Sequence, residues 1–121
     1  MNVLPEFELK TLKAVQTIAG EKDERFETWF EALEYMKGRM KEIDFDVAII
    51  GCGAYGMPLA IEAKRMGKQA VHMGGATQLL FGIKGARWDN TMSMYYNKYW
   101  IRPNENEQCP NQSIVVGGCY W

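Results

Sequence analysis

Apolar and polar positions along the chain change period several times, and each change marks an element. Residues 47–50, Val-Ala-Ile-Ile, form an apolar run without alternation, as in a parallel strand covered on both faces. Gly51, Gly53 and Gly56 follow at G-x-G-x-x-G spacing, where the backbone turns sharply and a ligand can come close to the main chain. Pro58 suits the first turn of a helix, and Leu59, Ala60, Ala63 and Met66 mark one helical face that Gly67 is placed to end. Gln69 to Met73 is a second apolar strand closed by Gly74-Gly75. The pattern predicts a βαβ unit over 45–75.

Upstream, Phe26, Trp29, Phe30, Leu33, Met36 and Met40 recur at three- and four-residue spacing, which predicts a helix that Asp23 can cap. Its acids come early and its bases late, complementing the helix dipole, and the aromatic stripe reads as core or partner surface. Leu9 to Ile18 fits both a helical stripe through Leu12, Val15 and Ile18 and a β-branched strand. The strand is favoured, because Gly20 and the charged run Glu21–Arg25 then form a loop into the helix. Downstream, Ala76 to Gly85 predicts a short helix opening just after Gly74-Gly75. Residues 89–121 form an irregular arm, with Met92–Tyr99 helical. The arm is too aromatic to lie free in water and so packs on the domain or on a second subunit. The expected architecture is α/β: a small Rossmann-like parallel sheet in βαβαβ order with flanking helices, spanning 1–121 as one domain. Three strands leave vulnerable edges, so a homo-oligomer is expected.

Composition narrows the classes. Fourteen Lys and Arg against 15 Asp and Glu argue against a dedicated nucleic-acid binder. No apolar run approaches the ~20 residues of a membrane span, and residues 1–10 lack the form of a signal peptide. Cys52, Cys109 and Cys119 have no metal-type spacing and suit a reducing cytoplasm.

The glycine fingerprint has two readings: phosphate binding by N–H donors at a helix start, or a tight turn that needs glycine for geometry alone. A nicotinamide dinucleotide is disfavoured. That use calls for an acid about 20 residues on, where this chain has Val71, His72 and Met73. Gly74-Gly75 with Thr77 and Gln78 offers a second set of donors, or a plain helix start. His72 ends a strand where α/β sites gather, and reads as an acid–base group or as a hydrogen-bonded structural residue. Cys52 reads as a small filler, since no basic partner stands near it in sequence. Asp44-Phe45-Asp46 spells D-x-D but precedes its strand, at the wrong sheet edge for a metal. Lys84, Arg87 and Trp88 could clamp a diphosphate and stack a base, or form a solvated cation pair with an anchoring tryptophan. There is no visible nucleophile–base pair.

The runs VQTIAGEKDERFETWFEALEYMK and FDVAIIGCGAYGMPLAIEAKRMGKQAVHMGGATQLLFGIKGARWD, then NKYWIRP and the closing GGCYW, resemble bacterial proteins of the GT-D-fold-like group. These are related to a glycosyltransferase domain with a Rossmann-like fold, several of them in surface-polysaccharide gene sets. The resemblance starts near Leu9 and matches the C-terminal portion of longer members. It implies a nucleotide-sugar such as a UDP-sugar, with a divalent metal (Mn or Mg). It also implies a nucleotide-facing edge at Gly51, Gly53, Ala54, Tyr55, Gly56, Gly74, Gly75 and Gln78. The acidic D-x-E motif of those transferases has no counterpart here, so no catalytic residue carries over. The competing expectation is a non-catalytic interaction domain in which the glycines serve only geometry.

Overall fold

A computed structural model describes residues 5–18, 20–109 and 111–118. Among them the chain is mixed α/β, in the order α1 (Trp29–Lys41), β1 (Val47–Ile50), α2 (Gly56–Arg65), β2 (Gln69–His72) and α3 (Thr77–Leu80), with short 3₁₀ turns between and after. The central βαβ unit stands where the pattern placed it. β1 and β2 pair in parallel, with Val47 opposite Gln69 and Ile50 opposite His72.

α1 begins at Trp29 rather than just after Asp23, because Thr28 makes the stronger start signal. The Glu31 N–H donates to Thr28 Oγ1 at 3.2 Å while the Thr28 N–H donates to Glu31 Oε2 at 3.3 Å, a reciprocal cap. Asp23 instead closes a turn, accepting the Phe26 N–H at 3.0 Å on its carbonyl. Its carboxylate binds Arg25, which holds the carboxyl down at about 2. The buried face of α1 is Ala32, Leu33, Met36 and Met40, while Phe30 stays outside at 71% exposure.

α2 packs between α1 and the sheet, bringing Leu59 and Ala63 into one core with Met36, Met40, Ile50 and Tyr55. It stops as its sequence predicts. Gly67 takes φ +75°, the Gly67 N–H donates to Lys64 O at 3.0 Å, and the Lys68 N–H donates to Ala63 O at 2.9 Å. Glu62 is buried on the same helix at 7% exposure, held by Lys41 at 2.9 Å and more loosely by Arg65 at 3.8 Å.

Four expectations are corrected. Residues 9–18 are not a strand, so the described sheet has two strands, and βαβ replaces βαβαβ. The apolar residues there recur every three positions, which puts Val15 on the opposite side from Leu12 and Ile18 in any strand. Only Val15 enters the core, its N–H donating to Met36 Sδ at 3.3 Å, while Leu12 and Ile18 are exposed. The sheet is also not covered on both faces. Ala48, Ile50 and Ala70 face the core, but Val47, Ile49 and Val71 are 47%, 39% and 49% exposed, because α2, the helix packed on the sheet, covers the other face.

The helix expected over Met92–Tyr99 shrinks to a 3₁₀ turn at Ser93–Tyr95, and Tyr96 is extended. Tertiary contacts outweigh the helical spacing there. The Tyr96 hydroxyl donates to Asp89 at 3.2 Å, its ring packs on Trp100 at 4.9 Å, and Arg102 grips both Asp89 oxygens at 2.8 Å. α3 likewise ends early at Leu80, in a glycine cap at Gly82 (φ +66°). The arm does pack on the domain: the Gly82 carbonyl accepts the Ile101 N–H at 3.0 Å, and Cys109 is buried with its thiol toward the Ile18 carbonyl at 3.9 Å.

Candidate functional site at the carboxyl edge of the sheet

The carboxyl ends of β1 and β2 meet the two glycine turns, and their junction is one carbonyl oxygen. Ile50 O, the last acceptor of β1, receives the Met73 N–H at 3.0 Å, His72 Nδ1 at 3.3 Å and Thr77 Oγ1 at 3.4 Å. The backbone of β2, its terminal side chain and the start of α3 are thereby tied to the entry of the first turn. A carbonyl only accepts, so Nδ1 is the donor in this contact.

Each fingerprint glycine answers to a different neighbour. A Cβ on Gly51 would lie 2.6 Å from Thr77 Oγ1 and 2.9 Å from the Gly74 carbonyl, so this glycine lets the two turns touch. A Cβ on Gly56 would overlap the His72 imidazole, so the ring packs directly over the start of α2. Gly53 has φ +53° and nothing within 4 Å of its Cβ position, leaving open space above exposed backbone just before the helix. Gly74 repeats that arrangement with φ +57° in the second turn.

The remaining expected residues divide. Ala54 is exposed on the turn and Gly75 half-buried in the second one. Tyr55, expected to face a nucleotide, turns the other way. It is 5% exposed, stacks on Trp29 at 5.0 Å, and shares a 3.0 Å hydrogen bond with Thr17. An aromatic at that point of the turn is worth more in the core than in water. Gln78 lies on α3, its carbonyl accepting the Ile83 N–H at 2.9 Å within the helix cap. Lys84 and Arg87 belong to the aromatic arm, Lys84 Nζ 5.4 Å from the Tyr96 ring centre and Arg87 5.7 Å from that of Trp88. Cys52 is half-buried, and burial pushes its thiol up, away from a thiolate.

Asp44 lies before β1, as its place in the sequence requires, 92% exposed and 3.2 Å from Lys68. Among the described residues no three His, Cys, Asp or Glu side chains come together. An apolar groove of about 370 Å³ runs along the outer side of α2 past Met57, Ile61 and Ala70, separate from the glycine turns. No helix among the described residues is long and apolar enough to cross a membrane.

The sequence pattern did not disclose how Thr77 and His72 converge on Ile50 O. A threonine two residues after a glycine pair was the available signal, and it reads equally well as a helix start. In comparisons with known proteins, no family model matches the chain, and no curated protein or solved structure is significantly similar to it.

Proposed function

We propose that the carboxyl edge binds the phosphates of a nucleotide or nucleotide-sugar, as all or part of a Rossmann-like, glycosyltransferase-like domain. The carrying observation is Gly53: a left-handed glycine with empty space over its backbone, opening the 3₁₀ turn that leads into a ten-residue helix. Backbone N–H groups in that position face an anion favourably, and the helix dipole adds to them. Gly74, equally open, brings a second turn alongside, tied to the first through Ile50 O. The divalent metal expected with a nucleotide-sugar would be held chiefly by the ligand's own phosphates, since among the described residues no three His, Cys, Asp or Glu side chains gather.

Replacement of Gly53 by Asp tests the site. Asp tolerates the left-handed region at a cost of about 1 kcal/mol, so the fold persists. Its carboxylate would occupy the open space and repel phosphate. Calorimetric titration of the wild type with UDP and UDP-glucose should give binding that Gly53→Asp abolishes. Undiminished affinity in the variant would remove the glycine turn from the site.

A second reading has its own support in the open sheet face. Val47, Ile49 and Val71 leave an apolar surface that suits a non-catalytic role in self-association, with the glycines acting only as geometry.

A further inference from the structure

Dinucleotide-binding βαβ units carry an Asp or Glu at the end of the second strand, about 20 residues past the first glycine, and its carboxylate accepts a hydrogen bond from a ribose hydroxyl. This chain has no acid at residues 71–73. It does have an acceptor there, made in a different way. His72 ends β2, its Nδ1 is committed to Ile50 O at 3.3 Å, and in the neutral ring its Nε2 then presents a lone pair. The side chain is exposed, and among the described residues nothing bonds to Nε2. The ring is held from two sides. Gly56 leaves it the room that any Cβ would fill, and Ile50 O is itself fixed by the Met73 N–H at 3.0 Å.

We infer that His72 Nε2 accepts a hydrogen bond from a ribose hydroxyl of the bound ribonucleotide, in the place of the missing carboxylate. The inference rests on the nucleotide reading of the glycine turn and adds a sugar contact to it. A neutral acceptor has a physical advantage at this edge, because it holds the hydroxyl without setting a negative charge beside the phosphates.

The test uses UDP and its 2′,3′-dideoxy counterpart, titrated calorimetrically into the wild type, His72→Asn and His72→Gln, with thermal melts to check folding. The Asn carboxamide can reproduce the Nδ1–H bond to Ile50 O but stops short of Nε2. Gln reaches the Nε2 level and can accept there. The wild type should prefer UDP by about three- to tenfold, the net worth of one hydrogen bond. His72→Asn should bring the two ligands level by weakening UDP alone, and His72→Gln should keep part of the preference. Equal affinities in the wild type, or a preference that survives in His72→Asn, would overturn the ribose contact while leaving phosphate binding intact. Binding of neither ligand to the wild type would overturn both.

Discussion

Glycines at the two ends of the fingerprint turn carry different constraints, and the difference is measurable. At Gly51 the atoms in the way of a methyl group include the Gly74 carbonyl, which is backbone and cannot swing aside. Gly51→Ala should therefore push the two turns apart and cost about 1–3 kcal/mol, the usual toll of overpacking. At Gly56 the obstruction is the His72 ring, a side chain with solvent beside it. Gly56→Ala should displace the imidazole, break its bond to Ile50 O, and recover part of the loss through better helix propensity, about 1 kcal/mol. Chemical denaturation of the two variants should give a clear drop for Gly51→Ala and a change under about 1 kcal/mol for Gly56→Ala. Equal losses at both positions would mean that the turn tolerates neither, and that His72 is as rigid as backbone. The spacing of these glycines was plain in the sequence. Their separate neighbours were not, because they depend on where β2 and α3 fall in space.

At the level of elements, what could be read in advance was whatever is decided locally. α2 and its Gly67 cap, the two strands and the glycine turns follow from short-range rules, and the structure has them in place. The elements that shifted are those settled by partners distant in sequence. The 9–18 segment lost its strand because one valine, not an alternating face, reaches the core. The arm lost its helix to Asp89, Trp100 and Arg102. Glu62 is another such case, a carboxylate amid apolar positions of α2 whose reason is Lys41 on the neighbouring helix. The hydrogen bond from Lys41 outweighs burial and keeps the Glu62 carboxyl below its ordinary value, with Lys37 and Arg65 adding to the effect. A carboxyl lowered on folding contributes stability above its unfolded value, and that contribution fades as pH falls through the folded value. Glu62→Gln should therefore be less stable than the wild type at pH 7, and the gap should close in acid, below about pH 4. Melting curves across pH 3–7 would check this; a gap independent of pH would assign the loss to packing rather than charge.

For the molecule as a whole, surface area decides between a self-sufficient monomer and a protein with a partner. A standard interface buries ~800 Å² on each partner. Two four-residue strands present a face of only about 130 Å², from their rise and spacing, so Val47, Ile49 and Val71 cannot account for such a contact alone. Met57 and Ile61 on α2, 59% and 46% exposed, form a separate apolar surface beside Ala70 on the opposite face, and among the described residues no third strand pairs with either sheet edge. Self-association through the sheet face predicts a dimer or larger species in light scattering. Ile49→Glu would then lower the mass to that of one chain, at little cost to the isolated fold, because Ile49 is already 39% exposed. A wild type that runs as a compact monomer would remove self-association and leave the open face to a different partner. An Ile49→Glu variant that keeps its mass would move the contact to α2 or to the aromatic arm.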